Sequence, residues 1–263
     1  MLETIVESQP NVDSQPNNEP SARNPTSEAN PWIVPDAGRL EALAEFAAGA
    51  GHEINNPLAT IIGRAQLLLK EERDPQRRQM LHSIGAQAYR VRDMIGDAML
   101  FGRPPKPEIQ SVSFADLAAQ VVSRLGEQLA ESSCRVTVSI PAELTLRADP
   151  AQLAIVLSEL LRNSRQALLP SGGTIQIRAT TILATANGID LAQFEVEDHG
   201  CGFRDLEREH AFDPFFSGRQ AGRGLGFGLP KCWQIVRLHG GSIQIESVAN
   251  GLTVVRVVWP MAS

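Results

Sequence analysis

The sequence predicts a mixed fold: a two-helix hairpin that pairs into a dimeric four-helix bundle, followed by an α/β sandwich. Three observations predict it. Apolar residues recur at steps of three and four from Leu40 to Leu68 and again from Met80 to Ala98, the spacing of two long amphipathic helices. Gly102-Arg103-Pro104-Pro105-Lys106-Pro107 then removes backbone donors and stops the helix. Beyond it, strand-like alternation interleaves with helical periodicity, the order that lays helices over one face of a sheet.

In chain order, residues 1–34 are rich in Pro, Asn, Ser and Glu, and are expected to be a disordered tail. Asp36 is placed to cap a helix running to about Glu72, with a seam at Leu40, Leu43, Ala47, Ala50, Ile54, Leu58, Ile61, Ala65 and Leu68. Arg73-Asp74-Pro75-Gln76 breaks it. A second helix follows to about Phe101, with Met80, Ile84, Ala88, Val91, Ile95 and Ala98 on one face. This hairpin, residues 35–102, cannot bury a continuous apolar stripe alone, so a homodimer is expected. Residues 108–263 form the second domain. Helices are expected over Phe114–Glu131, Asp149–Leu168 and Leu229–Leu238, and strands over Arg135–Ile140, Thr174–Thr185 and Phe194–Glu197. Ser242–Ser247 and Leu252–Trp259 close the chain as a hairpin across Ala249-Asn250-Gly251.

Composition narrows the function. The chain is 43% hydrophobic, enough for a sizeable core, while the 5% aromatic content suits Ala- and Leu-rich helices. A net charge of −6 and a pI near 5.4 exclude a typical nucleic-acid binder, which needs a basic excess to displace counterions from phosphate. Cys134, Cys201 and Cys232 are widely spaced and odd in number, which reads as reduced thiols of a cytoplasmic protein. No apolar run reaches the roughly 18–20 residues of a membrane span.

Five clusters carry chemistry. In Gly51-His52-Glu53-Ile54-Asn55-Asn56-Pro57-Leu58, His52 and Asn56 stack one helical turn apart, off the apolar seam. An imidazole held outside a core, with Glu53 beside it to orient it or take its proton, can act as a nucleophile near neutral pH. Farther on, Glu159 and Asn163 are one turn apart on a helix and offer oxygen donors of the type magnesium accepts. Asp198-His199-Gly200-Cys201-Gly202 ends a strand; its aspartate can accept from an exocyclic amine such as that of adenine, while its glycines let backbone approach a ligand. Phe212-Asp213-Pro214-Phe215-Phe216-Ser217-Gly218-Arg219 resembles the hydrophobic latch of a mobile lid. Gly224-Leu225-Gly226-Phe227-Gly228-Leu229 opens a helix, where exposed amides and the helix dipole favour phosphate. Taken singly, each cluster is equally a surface helix face, a turn or a packed loop.

Together and in this order, the five resemble the H, N, G1, F and G2 boxes of the sensor histidine kinases of two-component systems, over about residues 36–263. The resemblance implies an ATP-binding domain of the histidine kinase, gyrase and Hsp90 type behind a phosphoacceptor hairpin. It implies that His52 is the phosphorylated residue, Glu53 its general base and Asn56 the residue that serves dephosphorylation of the partner. By the same resemblance Asn163 holds Mg2+ and Asp198 reads the adenine of ATP. Gly200 and Gly202 shape the base pocket, and Gly224, Gly226, Gly228 and Leu229 hold the phosphates and hinge the lid. Glu159 falls where the superfamily's ATPases keep a water-activating glutamate, and Arg219 replaces a frequent lid lysine. Gln166, Phe227 and Pro230 also depart from the usual pattern. The implied partner is the receiver domain of a response regulator, reached once the Pro-rich joint lets the ATP-binding domain leave the bundle. The competing readings are an ATPase that uses Glu159 and ignores His52, and a dimeric signalling scaffold that never autophosphorylates.

Overall fold

The computed structural model describes residues 32–182, 190–216 and 226–262, with His52 described by its backbone alone. Strand β1 (Trp32–Ile33) precedes helix α1 (Ala37–Glu71), whose first turn is closed by the Asp36 carboxylate accepting from the Arg39 amide at 3.1 Å. Asp74 repeats the device for α2 (Pro75–Gly102), accepting from Arg77 at 2.8 Å, with Pro75 in the first turn where a missing N–H leaves nothing unpaired. The two helices lie antiparallel. Leu40, Ala44, Ala48, Leu58, Ile62 and Ala65 of α1 are buried, as are Ala88, Ala98 and Phe101 of α2.

That buried line differs from the expected seam. Ile54, Ile61 and Leu68 of α1 and Met80, Ile84 and Val91 of α2 are exposed in the single chain. The physical reason is width. Each helix carries an apolar stripe wider than the one facing helix of the hairpin can cover, so the residues at its edge stay exposed.

The remainder is built from β2 (Gln110–Ser113), α3 (Phe114–Arg124), α4 (Gly126–Glu131), β3 (Cys134–Ser139), β4 (Thr145–Ala148), α5 (Pro150–Ala167), β5 (Gly173–Ile182), β6 (Leu191–Asp198), α6 (Asp205–Glu209), α7 (Gly228–Leu238), β7 (Ser242–Ser247) and β8 (Thr253–Pro260). Among the described residues, six strands form a mixed sheet in the order β1-β7-β8-β6-β5-β3, with β3 and β5 parallel and the other pairs antiparallel; β2 and β4 form a separate ladder. Alternate residues of β6, namely Ala192, Phe194, Val196 and Asp198, are buried, while Gln193, Glu195 and Glu197 face the other side. On that side Arg256 donates to Glu195 at 2.8 Å and lies 4.2 Å over the Trp32 ring.

Several short elements had no pattern long enough to mark them. The stretch expected as one helix breaks at Leu125 into α3 and α4. β2, β4 and α6 fall in stretches with no strand or helix signal. Trp32 and Ile33, expected within the tail, pair with Glu246 and Ile245 of β7, and Ile33 enters the core. Residues 1–31 of that tail lie outside the described residues. The Pro-rich joint is partly tethered: the Gln152 side chain donates to the Pro105 carbonyl at 2.8 Å, and the Glu108 amide donates to Asp149 at 3.0 Å.

Asp149 also caps α5, accepting from the amides of Ala151 and Gln152. Burial opposes its charge, but the amides of Glu108, Gln152 and Ala151 and the nearby His239 hold its carboxyl below the ordinary range. The Asp149 amide donates to His239 Nε2 at 3.1 Å, so the ring proton sits on Nδ1 and donates to the Ile235 carbonyl at 2.8 Å. Burial then depresses the His239 pKa and keeps the ring neutral.

Candidate functional site

A cavity of about 480 Å³ opens between α5, the turn after β6, α6 and the start of α7, with Asp97 of α2 in its wall. Its floor follows from strand parity. Asp198 falls on the buried face of β6 and is 3% exposed. Its carboxylate accepts from the Gly200 amide at 3.0 Å and from the Ser164 hydroxyl. Burial raises its pKa; those two hydrogen bonds and His199 pull the other way without cancelling the rise.

Glu159 and Asn163 line one wall, one turn apart on α5. The Glu159 carboxylate accepts from Lys231 Nζ at 3.1 Å and from Arg162 at 3.3 Å. Opposite them α7 begins with no side-chain cap. A Cβ added to Gly228 would sit 3.2 Å from Glu159 Oε2 and 3.5 Å from Asn163 Nδ2. Among the described residues the Gly228 and Leu229 amides have no side-chain cap, and they border the same end of the cavity as the oxygen donors, an arrangement suited to an anion with a bridging cation.

The glycines on the turns are steric requirements. A Cβ on Gly200 would lie 2.6 Å from the Ala167 carbonyl carbon and oxygen. Gly202 has φ +61° and would run into the Val248 carbonyl. Hydrogen bonds from the Cys201 amide to Ala167 and from the Asn250 amide to Cys201 hold this turn between α5 and the β7–β8 connection. Gly226, at φ +70°, passes against the backbone of Phe215 and Phe216. Of the expected latch, Phe212 is a core residue, Phe216 lines the cavity, and Phe215 meets Phe227 edge-on at 4.7 Å. Leu229 also lines the cavity. Arg219 and Gly224 lie outside the described residues, as do Ser217 and Gly218.

His52, Glu53 and Asn56 form a second group on α1. Glu53 and Asn56 are exposed and do not line the cavity. The neighbouring Asn55 is half-buried and donates to Met99 Sδ at 3.2 Å. Gly51 faces Ile95 and Met99 of α2, the residues that bracket Asp97. Asp97 lines the cavity, so the cavity meets the hairpin at the height of the turn that carries His52.

Sequence reasoning missed Ser164, Arg162, Asp97 and above all Lys231, which is 5% exposed. One signal was available: a lysine in the first turn of a helix whose neighbours Leu229, Pro230, Cys232 and Trp233 all enter the core. Gln166 is a lining residue, and Phe227 is buried between Phe215 and Phe101, whose ring lies 6.3 Å away.

Comparison with known proteins adds family relationships to this geometry. Residues 148–263 match the family described as histidine kinase-, DNA gyrase B-, and HSP90-like ATPase, and residues 42–106 match the His Kinase A (phospho-acceptor) domain. The sensory histidine kinase/phosphatase NtrB of Klebsiella oxytoca is 33% identical over 210 residues, 78% of this chain and 59% of that protein. Sporulation kinase C of Bacillus subtilis is 26% identical over 230 residues, 87% of this chain and 51% of that protein. The chain thus spans between half and three-fifths of these relatives. Among solved structures, full-length ShkA in complex with AMPPNP superposes with a TM-score of 0.67 at 20% identity, covering 83% of this chain and 46% of that one. The Acinetobacter baumannii histidine kinase AdeS gives 0.55 at 15% identity, covering 81% and 98%. These two likenesses concern the fold.

Proposed function

Given that the chain belongs to the sensor histidine kinases of two-component systems, we propose that it binds ATP in the cavity, transfers the γ-phosphoryl group to His52, and passes it to an aspartate on a response regulator receiver domain. The observation that carries this reading is the height match. The cavity that gathers Asp198, Asn163, Glu159 and the uncapped start of α7 abuts α2 level with the His52 turn.

Asp198, at the cavity floor, accepts from the exocyclic amine of adenine when its carboxyl is ionised, and Gly200 and Gly202 leave the base room to lie against backbone. Gly226 and Gly228 bring the first amides of α7 to the phosphates. Asn163 Oδ1 and the Glu159 carboxylate fit a magnesium ion by donor type and by sharing one end of the cavity. Among the described residues no group of three or more His, Cys, Asp or Glu side chains is arranged to hold a metal, so water and phosphate oxygens would complete the set. Magnesium, when bound, neutralises phosphate charge. Glu53, next to the acceptor, takes the imidazole proton as the phosphorus–nitrogen bond forms, and the work of the protein is otherwise positioning. Asn56, a carboxamide with no basic pKa, can orient a water toward a partner's aspartyl phosphate but cannot load His52. If wild type and Asn56→Ala speed the decay of a phosphorylated regulator equally, Asn56 has no role in the regulator phosphatase activity proposed on that ground; if wild type does not speed it at all, that activity is absent.

A homodimer accounts for the exposed half of the hairpin stripe, where Ile54, Ile61, Leu68, Met80, Ile84 and Val91 otherwise face water. Among the described residues no helix is long and apolar enough to cross a membrane.

The test is incubation with γ-labelled ATP. Wild type should acquire acid-labile, base-stable label, and His52→Gln should acquire none while keeping its ATP affinity. Label retained by His52→Gln, or steady ATP hydrolysis that the substitution leaves unchanged, would overturn the assignment.

A further inference from the structure

Lys231 is a cation with two carboxylate partners in two different parts of the fold. Its Nζ donates to Asp97 Oδ1 of α2 at 2.8 Å and to Glu159 Oε1 of α5 at 3.1 Å. The lysine side chain is 7% exposed, against 34% for Asp97 and 17% for Glu159. Burial opposes the ammonium, but Glu159 and Asp97 outweigh it and raise the Lys231 pKa above the ordinary lysine value, so the group is charged.

A buried lysine would be a costly way to balance Glu159, which already has Arg162 within 3.3 Å. The second contact, to the hairpin, is what Arg162 does not supply. We propose that Lys231 is a positioning residue for phosphoryl transfer: by holding Asp97 on α2 and Glu159 in the cavity wall, it fixes the height at which the nucleotide cavity meets the His52 turn. This rests on the kinase reading above.

Pairing of β1 with β7 anchors the start of α1, well before the His52 turn, and the other side-chain contacts across the junction hold the height less firmly. Arg39–Asp213 and Arg237–Glu41 join α1 to the second domain, but each has an arginine about half exposed, where water and salt screen the attraction. Phe101 and Phe227 bury apolar area against each other, which is adhesive but non-directional, so two such surfaces tolerate sliding. An ion pair whose ammonium is buried tolerates less, because a slip of one helical residue, about 1.5 Å, leaves that desolvated ammonium short of its partner. Asp97 stands between Ile95 and Met99, the two residues that face Gly51, immediately before His52. The pair thus acts where a change of register would shift the cavity along the acceptor helix.

The decisive variant is Asp97→Asn, which leaves α5, α7 and the Glu159–Lys231 pair in place. Two quantities are measured on the full chain: the autophosphorylation rate at saturating ATP alongside ATP affinity, and hydrogen exchange of segments 97–102 and 227–233. The expected result is a rate about tenfold lower with ATP bound no more weakly, since a carboxylate has been removed from the wall of an anion-binding cavity. Exchange in both segments should speed up, and Asp97→Glu, which keeps the charge, should restore most of the rate. A purely structural role would lower rate and affinity together and would not be rescued by charge. The proposal is overturned if Asp97→Asn labels at the wild-type rate, if its exchange is unchanged, or if it labels faster, which would make the contact a restraint. An unlabelled wild type would sink the kinase reading and this proposal together, and the wild-type control identifies that case.

Discussion

Replacing Asp198 by asparagine tests the nucleotide site with the least change of shape. The carboxylate is 3% exposed and accepts from the Gly200 amide at 3.0 Å and from the Ser164 hydroxyl. An asparagine can still accept through its one carbonyl oxygen. If that oxygen stays on Gly200, the new NH2 faces the adenine amine, donor against donor. The loss is then a charge-assisted hydrogen bond, about 1.5–3 kcal/mol, or roughly a 10- to 150-fold rise in the Kd for ATP. Stability should fall little, since burial already disfavours the charge that is removed. Guanine carries a carbonyl oxygen where adenine has its amine, so the variant should bind GTP better relative to ATP than wild type does. Calorimetric titration with both nucleotides, beside a denaturant melt, reads all three quantities. The pH dependence has a fixed sign: wild-type ATP affinity is complete while Asp198 is ionised and is lost on acidification, starting above the ordinary aspartate pKa of 3.8 because the group is raised. Asp198→Asn lacks that titration. An ATP affinity within twofold of wild type and an unchanged ATP-to-GTP preference would refute the assigned role of Asp198.

Two further outcomes follow from steric and protonic features of the same domain. Gly200→Ala should destabilise by about 1–3 kcal/mol and weaken ATP binding at least tenfold, because the new Cβ meets backbone that cannot swing aside; a variant matching wild type in both melting and titration contradicts this. His239 has a folded pKa below its ordinary value of 6.5, so above that pH both folded and unfolded forms are neutral and its contribution is complete. As pH falls below 6.5 the unfolded chain takes the proton first and stability declines until the folded pKa is passed. Denaturant melts across that window should show a decline in wild type that is smaller in His239→Gln, and identical slopes would count against the neutral, doubly hydrogen-bonded ring.

What could be read in the sequence was the part of the fold fixed by neighbours a few residues apart. Asp36, Asp74 and Asp149 each precede apolar periodicity, and each caps a helix by bonding amides two or three residues on. The strand ending at Asp198 and the Gly-rich start of α7 were legible for the same reason, and period-two alternation is enough to put Asp198 on the side of Phe194 and Val196. Tertiary structure decided the rest. Which half of the hairpin stripe is covered within one chain depends on the facing helix, so Leu58 and Ile62 are buried while Ile54 and Ile61 are not. Trp32 and Ile33 become a strand only because β7 offers an unpaired edge more than 200 residues later. Lys231 had no local partner to betray it: Glu159 is 72 residues away and Asp97 is 134, and only packing α7 against α5 and α2 brings both carboxylates to one ammonium.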